Sequence, residues 1–249
     1  QNIFEKKINL LPTKFIKGKM IFFEGKNYVA TVSDTNINLK ILENNIDVKL
    51  KGKFLNDNMH FSLERKMIDK KLSTDLTLKL SNLNFLIKTN FYQSQKDKNT
   101  LTGNVLVKQK KNKITGIFDY KDREFIIKKS NLRNPFIDGK MEGKIIILPY
   151  FGFDLDLNLN SMNFTKLYNS FLSLDENIQK NLFKINKKIN GKLNFSTNKI
   201  YSSYNLVKSF ESRLKFNNGN ITIEQFLFNL GKLGAADILG TINNEKEFT

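Results

Sequence analysis

The chain has 249 residues, 40% of them hydrophobic, including 22 Phe; its formal net charge is +17, and it has no Cys, no Trp and a single His. Zero Cys removes disulfides, thiolate metal sites and thiol nucleophiles together, and one histidine, His60, with scattered carboxylates makes no metal site. The apolar content is enough for one large β domain or two smaller ones, which excludes wholesale disorder.

The positive charge is nearly all lysine, with only four arginines (Arg65, Arg123, Arg133 and Arg213). Beside 34 Asn, that bias reads as composition rather than as an anion-binding signal. Lysine also blunts exposed sheet edges and keeps a long β surface from pairing with itself. The longest apolar stretch, around 145–153, is broken by Pro149 and Gly152. It falls far short of the roughly 18–20 residues that cross a bilayer. The start at Gln1 and the end after a strand-like segment read as a piece of a longer protein.

In chain order, residues 1–35 are weakly patterned, with possible strands at 19–23 and 27–33 around Pro12 and Gly18. From 36 to 130 the pattern is a meander of short strands, at 36–42, 46–51, 72–80, 83–91, 101–108, 114–120 and 125–129. Polar joins separate them: Glu43-Asn44-Asn45, Asn56-Asp57-Asn58, the stretch from Gln95 to Asn99, and Lys110 to Lys113. Asn, Asp and Gly suit such turns because they accept left-handed backbone.

The clearest strand is Phe153-Asp154-Leu155-Asp156-Leu157-Asn158-Leu159-Asn160, apolar at every odd position and polar at every even one. That period of two is the signature of a strand with one dry and one wet face. From Asn163 to about Lys188 the period changes to nearly 3.6, which predicts a short helical insert. Phe164, Leu167, Tyr168 and Phe171 then share one face, and Asp175 caps a second helix carrying Ile178, Leu182, Phe183 and Ile185. The first stripe is a helix packed on the sheet or a cap over an apolar groove. Strands resume at 192–196, 213–216 and 221–228, and no Pro- or Ser-rich linker marks a domain boundary.

No constellation reads as catalytic. Asp154 and Asp156 lie on one face of one strand about 7 Å apart, side by side on a solvent-facing stripe with no cleft implied. Gly231-Lys232-Leu233-Gly234 lacks the spacing and the strand-to-helix context of a phosphate loop. The basic runs 108–113 and 128–129 fall at strand ends or turns, without interleaved aromatics; they read as solvated loops, with lipid head groups or nucleic acid as lesser readings. No catalytic, cofactor-binding or metal residues are assigned.

The last 110 residues carry a resemblance. The order is Asp138-Gly139-Lys140-Met141-Glu142-Gly143-Lys144, the alternating strand 153–160, an amphipathic helical stretch, and Ile189-Asn190-Gly191-Lys192-Leu193-Asn194-Phe195. Then follow the segment from Leu214 through Asn218-Gly219 to Ile223, and a tail from Leu230-Gly231-Lys232-Leu233-Gly234 to Gly240. This resembles the C-terminal region of the AsmA-like family, the AsmA, TamB and YhdP group. The resemblance implies a mainly β fold: a long, curved antiparallel sheet forming a taco-like open groove, with the helical insert near 163–188. It also implies a non-enzymatic periplasmic module, anchored in the inner membrane by a segment outside this chain. Such modules act in outer-membrane assembly and intermembrane phospholipid transport.

All 249 residues then form one groove segment. Its expected partners are phospholipid acyl chains, the inner and outer membranes and envelope-assembly proteins, with no nucleic acid and no cofactor. The expected groove residues are Leu155, Leu157, Leu159, Leu193, Phe195, Leu214, Phe216, Ile221, Ile223, Phe226 and Phe228. Acyl chains would suit such a face, since each buried methylene gains about 0.8 kcal/mol. The alternatives are an outer-membrane β-barrel and a basic nucleic-acid-binding β protein.

Overall fold

The computed structural model describes residues 9–68, 71–94, 97, 99–147, 151–176, 187–202 and 206–243. It is mainly β, with 74% of residues in strands and 6% in helix. The chain divides into two compact units, Gln1–Lys121 and Asp122–Thr249.

The first unit is a pure meander. Its strands are β1 (Leu10–Glu24), β2 (Asn27–Leu42), β3 (Asn45–Phe54), β4 (Asp57–Ile68), β5 (Lys71–Leu80), β6 (Phe85–Gln93), β7 (Leu101–Gln109) and β8 (Asn112–Lys121). Each pairs antiparallel with the next. The weakly patterned start therefore holds the two longest strands, whose alternation is blurred by register shifts near Gly18 and Phe22. Tight turns join most of the others. Leu55 and Asn56 both take positive φ (50° and 62°) between β3 and β4, the backbone that matches the twist of a two-residue hairpin.

Unit 2 contains β9 (Glu124–Arg133), β10 (Ile137–Ile146), β11 (Gly152–Asn163), α1 (Phe164–Leu172), β12 (Asn190–Thr197), β13 (Ile200–Tyr201), β14 (Ser209–Asn217) and β15 (Asn220–Asn229). A three-residue 3₁₀ turn at Gly231–Leu233 and the short strands β16 (Ala235–Asp237) and β17 (Gly240–Ile242) close it. The tail after Leu230 thus contributes two short strands, both laid on β15. Asn218 and Gly219 (φ 50° and 87°) make the β14–β15 turn. Neither unit's run of paired strands closes into a barrel.

Two pairings depart from the all-antiparallel expectation, both made by β11. β11 runs parallel to β12, from Gly152 opposite Asn190 to Leu159 opposite Thr197, and also to the short β13, with Met162 opposite Ile200. A parallel neighbour needs a long crossover, and the helical insert supplies it. Asn163 starts the helix, its side chain accepting the Lys166 N–H at 2.9 Å. The second helix expected after Asp175 lies outside the described residues.

Candidate functional site

Residues directly opposite each other on neighbouring strands share a face, so the register identifies the apolar rows of unit 2. One row is Ile127, Gly143, Leu155, Leu193, Leu214 and Ile223, running across β9, β10, β11, β12, β14 and β15. Beside it Met141, Leu157, Phe195, Ser212 and Phe226 form a second row. A third runs Leu132, Gly139, Leu159, Thr197, Phe210 and Phe228, and a fourth runs Ile145, Phe153, Gly191, Phe216 and Ile221. The eleven expected groove residues all lie in these four rows.

Strict alternation would have separated them. Ile221 and Ile223 are odd positions and Phe226 and Phe228 even ones, so an unbroken strand would turn one pair to the opposite side. A bulge resolves this: Leu214 faces Ile223 while Arg213 faces Gln225, leaving Glu224 as the extra residue. The same device in β11, where Asn160 is extra between Leu159 and Ser161, lets Leu159 and Met162 both be buried.

This face is not uniformly covered. At the Leu159 end, Leu159, Met162, Ile200 and Phe210 form a buried cluster, against which Leu167 of α1, Val207 and Phe228 pack. Phe210 stacks on Phe195 and Phe226, with ring centres 4.9 and 5.5 Å away. Toward the other end, Leu155, Leu157, Leu193, Leu214, Phe216 and Ile223 are only half-buried. Phe210 belongs to the face and escaped the sequence reading, which began that strand only at Arg213; Phe153, read as a dry-face residue but not as one of the expected groove residues, packs on Phe216 at 5.3 Å.

The helical stripe splits. Leu167 faces the cluster, whereas Phe164 and Tyr168 stack on each other at 6.3 Å and are about half exposed. The four positions form a stripe about 100° wide, and only the edge that carries Leu167 meets the cluster.

The opposite face is wet. Asp154, Asp156 and Asn158 are exposed. Asp156 accepts a hydrogen bond from the Asn194 amide and Asn158 one from the Ser196 hydroxyl, each at 2.8 Å. Asp156 thus belongs to a surface hydrogen-bond network, and Asp154 stands exposed on the same face. His60 is exposed on β4 between Lys51 and Lys79. Gly231–Leu233 is a turn too short to cradle a phosphate. Lys110 occupies the β7–β8 turn, but Lys128 and Lys129 lie within β9 rather than at an end. Among the described residues no group of His, Asp or Glu could hold a metal ion.

Unit 1 repeats the construction. Ile37, Leu50, Phe61, Leu78, Ile87, Val107 and Ile114 make one row across β2–β8, and Leu39, Val48, Leu63, Leu76, Thr89 and Val105 a second. The next row is Ile41, Ile46, Arg65, Thr74, Phe91, Gly103 and Phe118. A cation thus stands on the apolar face. The half-buried Arg65 donates from Nε to the Thr74 hydroxyl at 3.2 Å, and burial lowers its pKa. Sequence reading passed over this strand because Glu64-Arg65-Lys66 interrupts its alternation. Its signal is that Met59, Phe61, Leu63 and Met67 keep the period across the interruption.

At the turn end of the same strand Asp57 is buried. Burial opposes its ionisation, but the backbone N–H groups of Asn82, Leu83, Asn58 and Ser81 outweigh it and hold the carboxyl below its usual value. The carboxylate accepts from Asn82 at 2.8 Å and Leu83 at 3.0 Å, tying the β3–β4 turn to the one after β5. No described helix is long and apolar enough to cross a membrane. In comparisons with protein-family models, curated proteins and solved structures, nothing matches the chain.

Proposed function

We propose that the chain is a non-enzymatic lipid-handling β module of the AsmA-like kind, working between the bacterial inner and outer membranes. Its apolar face holds phospholipid acyl chains. In this reading the module lies in the periplasm, tethered to the inner membrane by a segment outside the chain, and serves outer-membrane assembly and phospholipid transport.

The observation that supports it most is the set of continuous apolar rows in unit 2, in register across six strands and only half-buried over much of their length. Monomeric proteins rarely leave contiguous apolar surface of that kind open without a use. Acyl chains need no directional partner, so a face of Leu, Ile and Phe suffices. The absence of specific polar contacts there is what allows chains to slide. The lysine-rich opposite face keeps such a sheet soluble.

The experiment is site-specific photocrosslinking in cells. A photoreactive residue at Leu155 or Leu214 is expected to capture phospholipid, and one at Lys192 or Lys215, on the opposite face, is not. Leu214→Glu, chosen for a variant that keeps its melting temperature, should abolish capture from Leu155, since an unpaired charge in an apolar path is costly. Equal capture from both faces, or a folded Leu214→Glu protein that still captures lipid, would sink the reading.

A further inference from the structure

Arg65 breaks the rule that orders the rest of unit 1. Apart from Asp57 at the β3–β4 turn, every other charged residue in strands β3–β8 stands on the opposite face. Arg65 is also one of only four arginines in a chain that otherwise uses lysine for positive charge. Its place on the strand is near the rim. On this face one further pair, Met67 opposite Leu72, separates it from the end of the β4–β5 ladder, and Met67 is exposed. In the other direction the face is apolar through Leu63, Phe61 and Met59, a run of about 20 Å at the strand rise.

Two hydroxyls extend the polar spot. Thr74 lies beside Arg65, and Thr89 sits diagonally across from Thr74 on β6. The Thr89 hydroxyl oxygen is buried and has no hydrogen-bond partner among the described residues. The combination is amphiphilic: a cation at the rim and an apolar track leading away from it.

We propose that Arg65 binds the phosphate of an anionic phospholipid whose acyl chains lie along the apolar rows of unit 1 toward Phe61, Leu78 and Ile87. This rests on the lipid reading above and deepens it by assigning the charge of the head group. The guanidinium is charged at any physiological pH and presents a planar fork that matches phosphate oxygens two at a time. A lysine at the same place would offer only a point charge. Holding the head group at the rim keeps its charge near water, whereas the chains occupy the dry part of the face.

The test uses the full chain and vesicles of equal parts phosphatidylglycerol and phosphatidylcholine. After separation and a high-salt wash, which strips lipid held only by exposed lysines, the protein-bound lipid is identified by mass spectrometry. Phosphatidylglycerol is expected to be enriched several-fold. Arg65→Gln should erase that enrichment, and Lys88→Gln, the same loss of charge on the opposite face, should keep it. Unchanged enrichment in Arg65→Gln, or equal loss in Lys88→Gln, overturns the head-group site and leaves acyl binding standing. Wild-type protein that retains neither lipid overturns both. Should Arg65→Gln fail to fold, a photoreactive residue at Met67 in otherwise native protein decides: preferential crosslinking to phosphatidylglycerol supports the site, and equal crosslinking to both lipids refutes it.

Discussion

The two units apply the same rule, apolar on one side and polar on the other, and satisfy it by different means. Unit 1 connects each strand to its neighbour in sequence, so local turns are enough to set its register. Unit 2 inserts a helix, pairs β11 with β12 and β13 in parallel, and keeps its rows aligned across register shifts in three pairings, with glycines packed closely against neighbouring strands. Local pairing tolerates imperfect packing, whereas a non-local pairing must be made worthwhile by contacts formed only once the sheet exists. Unit 2 accordingly concentrates its aromatic stacking at the end where the crossover leaves β11.

The largest expected effect tests that dependence. Gly143 has φ +129°, and an added Cβ would collide with the Asp154 carbonyl on β11. Gly25, in the turn between β1 and β2, also has positive φ (60°) but has nothing within 4 Å of an added Cβ. Gly143→Ala should therefore cost on the order of 3 kcal/mol or more, through collision and strain together. Gly25→Ala should cost about 1 kcal/mol, through strain alone. Urea titration with amide hydrogen exchange checks both the size and the place: the loss of protection should fall in unit 2 for the first and near β1–β2 for the second. Equal costs would mean that close strand approach is not what organises unit 2.

A smaller effect separates the two ends of unit 2's apolar face. Leu159 is 2% exposed and roofed by the α1 cluster, whereas Leu155 is half-buried. Leu159→Ala should cost about 3 kcal/mol, as for a buried leucine leaving a cavity. Leu155→Ala should cost about 1 kcal/mol. Thermal unfolding of the two variants in lipid-free protein measures this contrast, and equal losses would mean that the open end is packed as tightly as the capped one.

The smallest effect concerns acid and belongs to unit 1. Asp57 is held below its usual carboxyl value as described above; Asp97 is lowered to about 2, chiefly by its hydrogen bond from Lys121, with further ones from the Asn99 backbone and the Thr100 hydroxyl. A carboxyl whose pKa is depressed by folding lends stability that is present above its unfolded value, here 3.8. That stability is lost as pH falls through the folded value. Unit 1 should thus loosen between about pH 4 and pH 2. Asp57→Asn should flatten the pH dependence in that window, and Asp97→Asn should flatten it less, since Asp97 lies nearer solvent. Melting temperatures recorded across the window decide it; unchanged slopes in both variants would remove these carboxylates from the account.

Most of the strands were legible because alternation is a local property. The odd-position leucines of 153–160 and the Asn218-Gly219 turn read directly as β structure, and the change of period at Asn163 located the helix. Strands blurred by shifts of register, as in β1 and β2, or by a run of charges, as in β4, were harder to read because the signal is an average over neighbours. That Leu155, Leu193, Leu214 and Ile223 share a face follows from alternation and consistent pairing. That Phe226 and Phe228 join them does not, because a bulge at Glu224 must first shift the parity of the strand, and only the pairing with β14 reveals it.

The sequence by itself determined which residues alternate, where turns can form and where a helix interrupts, since these depend on backbone preference and the polarity of near neighbours. The tertiary structure decided the parallel pairing of β11 with β12, the division at Lys121, the burial of Leu159 in the cluster that Leu167 packs against and the standing of Arg65 beside Thr74. Each of these is a relation between residues on different strands or segments, and such relations are settled by which faces can be buried together once the strands have paired.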